Sequence, residues 1–186
     1  MSTGYKLSEK YGCYFLTFQI VGWVDIFTRK VYRDIVIESL KYCQQHKGLN
    51  LYAYVIMSNH IHLLVRSETG NPSDFIRDFK NHTAKKILEV VDSEVESRKD
   101  WMKMVFIYHA KFKNKQNHQI WTHENHAELI YSQEFIEQKM NYIHENPVRS
   151  GIVTKAEDYL YSSARNYAEK ESVIDVIKVN TKWKTY

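Results

Sequence analysis

Cysteine and long apolar runs are scarce in this 186-residue chain, and each scarcity excludes a class of protein. Crossing a bilayer as a helix takes about 20 consecutive apolar residues, and no run approaches that. Cys13 and Cys43 are the two cysteines, far apart and each in apolar surroundings. They fit buried thiols better than a disulfide framework or a zinc-type cluster. The opening Met1-Ser2-Thr3-Gly4-Tyr5-Lys6 lacks the charged-then-apolar pattern of a secretory signal, so a reducing cytoplasm is the expected compartment. Internal repeats and low-complexity linkers are also missing, and the length suits one domain over 1–186. What is present fits a globular fold: 44% hydrophobic and 14% aromatic residues. The net charge of +4 permits a polyanionic partner without demanding one.

Periodicity orders the elements. Tyr11 to Val24, with Tyr14, Leu16, Phe18 and Ile20 alternating, predicts a strand. From Thr28, a suitable N-cap, Tyr32, Ile35, Val36, Leu40 and Cys43 recur at helical spacing until Gly48. Leu51 to Met57 and His60 to Val65 predict a hairpin turning at Ser58-Asn59. Asn71-Pro72 opens a second helix, with Ile76, Phe79, Thr83, Ile87 and Val90 on one stripe and Arg77, Lys80 and Lys85 off it. Glu89, Asp92, Glu94 and Glu96 read as a solvated helix end. Loops are expected near Asp100 and from Asn114 to His118, and a short strand over Gln119 to Thr122. Between them Lys103, Lys111, Lys113 and Lys115 interleave with Tyr108, His109 and Phe112; this is either a solvated segment or one that meets phosphates and bases. A third helix runs from Ser132 to about Asn146, where Pro147 ends it. Val173 to Val179 is strand-like, an appended strand or arm. The fold class expected is α+β: a ferredoxin-like βαββαβ antiparallel sheet with helices on one face, plus an added C-terminal helix.

The chemistry starts at His60-Ile61-His62. On a strand, residues two apart share a face, so both imidazoles project together while Ile61 enters the core. Such a pair can chelate one divalent metal; two histidines on a solvated sheet face is the equally open alternative. A histidine-triad hydrolase would need a third histidine where Leu64 stands. A two-motif phosphoesterase would need a hydroxyl at position 62. A second segment, Asn141-Tyr142-Ile143-His144-Glu145-Asn146-Pro147-Val148-Arg149-Ser150-Gly151, changes the balance.

Together with Ile120-Trp121-Thr122-His123 and Asp158-Tyr159-Leu160-Tyr161-Ser162-Ser163, these segments resemble the single-tyrosine HUH transposases of bacterial insertion sequences, especially the REP-associated tyrosine transposases. The resemblance spans most of Tyr11 to Tyr167. It implies a catalytic core over about 11–153 and a C-terminal extension over 154–186. It further implies that His60 and His62 are metal ligands, that Tyr142 is the nucleophile, and that Asn146, four residues on, is the third ligand. Residues i and i+4 share a helical face, so hydroxyl and carboxamide can reach one site. His144, nearly across the helix, is expected to be structural or a DNA contact, and Gln138 and Lys139 lie one turn before Tyr142 on its side.

A phenol with a pKa of about 10 is a poor nucleophile at neutral pH, so charge stabilisation at the phosphate is needed. The resemblance implies Mg or Mn as cofactor, a 5′-phosphotyrosine intermediate, and single-stranded, hairpin-containing DNA as substrate. Monomer and homodimer both remain open. Arg77, Lys80, Lys85, Lys111 and Lys113 are candidate DNA-backbone contacts, and Trp121 is expected to be buried. A non-catalytic nucleic-acid-binding module and a metal-dependent phosphoesterase are the alternatives.

Overall fold

The computed structural model describes residue 7 and residues 9–94, 96–111 and 117–179. Its strands are β1 (Cys13–Gln19), β2 (Leu49–Ile56), β3 (His60–Ser67) and β4 (Glu128–Ile130). Its helices are α1 (Lys30–His46), α2 (Pro72–Val91), α3 (Lys99–Ala110), α4 (Gln133–Arg149) and the short α5 (Ala164–Tyr167). The sheet order is β2-β3-β1-β4 and every pairing is antiparallel. This is the expected α+β arrangement.

Strand alternation divides the protein into two cores. Tyr14, Leu16 and Phe18 of β1 and Ile61, Leu63 and Val65 of β3 join the apolar stripes of α1 and α2 in the main core. The intervening residues Phe15, Leu64, Ala53 and Val55 point the other way and meet Met140 and Ile143 of α4 in a smaller one. α1 and α2 therefore lie on one face, and α4 lies against the other, where Tyr167 of α5 joins it. Gly48, at φ 61°, makes the tight reversal from α1 into β2 in a region that side chains with a Cβ avoid.

Several boundaries differ from the sequence expectation. β1 stops at Gln19, because Gly22 and Trp23 adopt φ of 62° and 57° and the chain coils into 3-10 turns. The N-cap of α1 is Arg29, while Thr28 Oγ1 donates to Asp25 O at 2.8 Å. A full helix, α3, occupies the stretch read as loop and basic segment. Its buried residues are Met102, Phe106 and Ala110, while Trp101, Met104, Ile107 and Tyr108 are exposed, so apolar residues surround it and no clean stripe shows. Glu96 is buried, not solvated, and accepts from Tyr32 Oη at 2.8 Å and from Arg98. Gln119–Thr122 does follow the end of β1, through Val21 N to Ile120 O and Thr122 N to Gln19 O, but forms a single bridge, Ile20 to Trp121. The fourth strand lies further on, at Glu128–Ile130.

Ser132 is the N-cap of α4, its Oγ accepting from Phe135 N at 3.2 Å. The helix passes through Pro147 to Arg149. Proline removes only the donor to Ile143 O, while Ser150 N and Ile152 N still reach Asn146 O and Pro147 O. Val173–Val179 is not a strand. It runs as an arm whose Ile177 N reaches Leu51 O, while Tyr161 O and Ser163 N pair with Ile56 N and Tyr54 O along the outer edge of β2. Tyr159 and Tyr167 serve this arm, donating to Ile56 O and Tyr52 O.

Candidate active site

The site begins at the turn between β2 and β3. Asn59 O accepts from Ile20 N and Ser58 O from Phe27 N, both at 2.9 Å, so the turn is tied to the chain leaving β1. That fixes the start of β3, and with it the face on which His60 and His62 stand. Their rings lie 4.8 Å apart, centroid to centroid.

Each imidazole has a partner on Nδ1. His60 Nδ1 lies 2.7 Å from Asn59 Oδ1, and the Asn59 amide nitrogen donates to Trp23 O. An amide oxygen only accepts, so His60 Nδ1 carries the hydrogen and its Nε2 holds a lone pair. His62 Nδ1 lies 2.8 Å from Thr17 Oγ1, its cross-strand partner. His62 Nε2 is buried and has no hydrogen-bond partner among the described residues. Burial pushes the His62 pKa down to about 3, helped by the neighbouring His60, Lys139 and Arg149, each of which disfavours a second positive charge, and burial lowers His60 as well. Both rings are thus neutral at physiological pH, as a metal ligand must be.

α4 brings the second half. Met140 and Ile143 seat it on the sheet, which leaves Lys139, Tyr142, Asn146 and Arg149, spaced three and four apart, along the adjoining stripe. The Tyr142 ring meets His62 edge-on at 5.2 Å and Phe15 at 5.9 Å, and Phe15 stacks on His62 at 5.3 Å. Lys139 sits over Phe15 and pairs with Glu128 at 2.7 Å. Arg149 lies over the Tyr142 ring at 4.6 Å. His60, His62 and Tyr142 are therefore assembled within one chain.

Asn146 is buried, one turn beyond Tyr142; among the described residues no hydrogen bond joins its carboxamide to either histidine. His144 points away from the site, its Nε2 2.8 Å from Ser163 Oγ, and this buried contact ties α4 to the C-terminal arm. Gln138 is exposed. The residues that sequence reasoning missed are Thr17, Asn59, Phe15 and Arg149. Thr17 and Phe15 fall at the odd positions of β1, opposite its core-facing alternation, and Arg149 falls two helical turns after Tyr142. Those periodicities were the available signal.

The charged candidates lie apart from this centre. Arg77 and Lys80 line a cavity of about 250 Å³ between α2 and residues 118–125, with His118, Trp121, His123 and Asn125. Arg77 pairs with Asp74 and Asp78, and Lys80 donates to Thr122 O at 2.8 Å. Trp121 is buried as expected, donating to Thr83 Oγ1 at 2.9 Å. Lys85 is exposed on α2, Lys111 follows α3, and Lys113 lies outside the described residues. Cys13 and Cys43 are free thiols that burial pushes up to about 12 and 11. Among the described residues no helix is long and apolar enough to cross a membrane, and no three His, Cys, Asp or Glu gather as a metal site.

Comparison with known proteins agrees on the fold. A solved structure described as a REP-associated tyrosine transposase bound to a REP hairpin superposes with a TM-score of 0.60 at 17% identity, covering 100% of this chain and 99% of that one. No curated protein matches. The family model described as "Transposase IS200 like" matches residues 14–146, a span that holds both histidines, Tyr142 and Asn146. The chain belongs to the IS200-like transposase family.

Proposed function

We infer that this transposase cleaves and rejoins single-stranded DNA through a phosphotyrosine at Tyr142. The observation that carries the reading is the Tyr142 ring resting against His62, whose buried Nε2 has no partner. A buried polar atom left unpaired is costly, and a bound ion is one way to satisfy it.

The residues present fit a divalent ion. Thr17 and Asn59 orient the two imidazoles through Nδ1, the outer-shell arrangement that metal-bound histidines use. His60 and His62 would hold the ion through Nε2, with the Asn146 carboxamide as third ligand; phosphate and amide oxygens suit Mg or Mn. When bound, the ion supplies Lewis-acid stabilisation of charge on the scissile phosphate.

Tyr142 supplies the nucleophile. Its Oη forms a bond to phosphorus as the bond to the 3′ oxygen breaks. The phenolic proton leaves to solvent, and the 3′ oxygen departs as a hydroxyl. The protein is left joined to the DNA 5′ phosphate. Because the phosphodiester's energy is kept in that bond, a 3′-OH from another strand reverses the step and seals the DNA without a nucleotide cofactor. Phe15 stacks on the His62 ring and meets the Tyr142 ring edge-on, packing one side of each.

The substrate class is single-stranded DNA with a hairpin, supported by the hairpin bound to the structurally similar transposase. Arg77, Lys80, Lys85, Lys111 and Lys113 are its backbone contacts in this reading, in sequence-independent positions. Since Tyr142 meets His62 of its own chain, no second copy is needed to complete that pair. The cytoplasm, where DNA is accessible, is the compartment this reading requires.

The test incubates wild-type protein and Tyr142→Phe with a pool of labelled hairpin-bearing oligonucleotides in Mg or Mn. Covalent adduct from wild type alone, abolished by chelator, is the expected result. Free cleavage products without adduct would make the chain a phosphoesterase. Binding without cleavage would make it a nucleic-acid-binding module, and adduct surviving in Tyr142→Phe would move the nucleophile elsewhere.

A further inference from the structure

Two cations border Tyr142, and they are held differently. The Lys139 ammonium is neutralised by Glu128 at 2.7 Å and rests on Phe15. The Arg149 guanidinium lies over the Tyr142 ring, 4.6 Å from its centroid, and Nη2 donates to the Tyr142 carbonyl oxygen at 3.0 Å. Among the described residues no carboxylate lies within ion-pair distance of Arg149, and the side chain is exposed. A guanidinium carries five N–H donors in a rigid fork, and one of them is used here. Ring contact and hydrogen bond together fix the position of a cation whose other donors meet no carboxylate among the described residues.

Helix geometry explains why the group sits there. Position 149 lies two turns after 142, on the same side of α4. Pro147 between them does not break the helix, which continues to Arg149, so the two residues stay in helical register. A lysine in place of Arg149 would offer a point charge, without the planar delocalised cation or the paired donors that match a phosphate's oxygens. The charge is also close enough to be felt at His62.

We propose that Arg149 grips the scissile phosphate, its free N–H groups bonding a non-bridging oxygen of the DNA linkage that Tyr142 attacks. This rests on Tyr142 being the nucleophile. The fork holds the phosphorus before Oη, and the positive charge offsets the charge that builds on the phosphoryl oxygens as the bond to the 3′ oxygen breaks. Because the same side chain lies on the nucleophile's ring, phosphate and phenol are located by one group. A merely structural arginine at a helix C-terminus would steady the last turn and leave the reaction's dependence on phosphate charge untouched.

The test begins with the oligonucleotide that wild-type protein captures as adduct from the randomised hairpin pool, which identifies the cleaved linkage. That oligonucleotide is then made with a phosphodiester or a neutral methylphosphonate at that linkage alone. Single-turnover adduct formation is measured for wild type, Arg149→Lys, Arg149→Gln and Arg149→Ala, with thermal melting of each. We expect Arg149→Ala and Arg149→Gln to react about 100-fold more slowly on the phosphodiester, equivalent to about 2.7 kcal/mol of barrier. Arg149→Lys falls between, and all four converge to within about threefold on the methylphosphonate, where no charged oxygen remains to be gripped. An Arg149→Ala penalty that is equal on both substrates, absent on both, or explained by a lowered melting temperature overturns the role of Arg149 and leaves Tyr142 in place. Failure of wild-type protein to form any adduct sinks the proposed function and this role with it.

Discussion

The two faces of the sheet are made from the same strands and do opposite things. Toward α1 and α2, β1 and β3 present Tyr14, Leu16, Phe18, Ile61, Leu63 and Val65, which merge with helix side chains into a continuous apolar core. Toward α4, the alternate positions present Phe15, Thr17, His60, His62 and Leu64; Phe15 and Leu64 pack with Met140 and Ile143, while Thr17 and His60 are half-buried. One residue of displacement separates a packing position from a chemical one. A two-residue period lets one strand pair build the main core on one side and place two imidazoles beside Tyr142 on the other. The smaller core seats the helix that carries the tyrosine.

Adjacent residues of β1 test this division most directly. Leu16→Ala should destabilise by about 3 to 4 kcal/mol through a cavity in the main core, and Phe15→Ala by a similar amount. Their effects on chemistry should differ: folded Leu16→Ala forms adduct at close to the wild-type rate, whereas Phe15→Ala slows it on the order of 100-fold, since Phe15 positions both His62 and Tyr142. Urea denaturation together with adduct kinetics checks both, and equal kinetic loss would dissolve the distinction between the faces.

Acid sensitivity should belong to the α4 side. His62 and His144 are held near 3, below the ordinary 6.5, because burial disfavours their charged forms. Between those values the unfolded chain binds protons that the folded chain refuses, so their stabilisation is complete above 6.5 and declines as pH falls toward 3. The slope is about 1.4 kcal/mol per pH unit for each, or about 2.7 together. Urea midpoints at pH 7, 6 and 5 in chelator should show it, and His144→Gln should remove about half. A pH-independent midpoint would mean that water already reaches both rings.

The smallest expected effect isolates a single hydrogen bond. Thr17→Val keeps the shape of β1 but removes the partner of His62 Nδ1. Stability should fall by about 1 kcal/mol, and affinity for Mn²⁺, measured by calorimetry, by about 10- to 100-fold. Unchanged Mn²⁺ affinity would detach Thr17 from metal binding.

Much of this was legible in the chain. Period-two runs around Leu16 and Leu63 and the stripes of α1 and α2 specified most of the ferredoxin-like core, because each element's burial pattern repeats within a few residues. The His60–His62 pair and Tyr142 were legible through motif and spacing. Less so was α3, whose apolar residues face several ways and whose Val105 packs against the distant chain around Gly22. β4 was missed for a related reason: its three half-buried residues carry no alternation, and they pair with β1 across a long sequence separation. Pro147 was taken as a stop, yet packing of Met140, Ile143 and Pro147 outweighs one lost backbone bond.

Local repetition in the sequence therefore determined which strands and helices form, which faces are apolar, and that two imidazoles share one side of β3. Tertiary structure alone decided that Tyr142 lies against His62, that Thr17 and Asn59 orient the histidines, and that Arg149 rests on the tyrosine. The physical reason is range. Periodicity is a property of neighbours a few residues apart, whereas these contacts join residues brought close only when the sheet is assembled and α4 is seated on it.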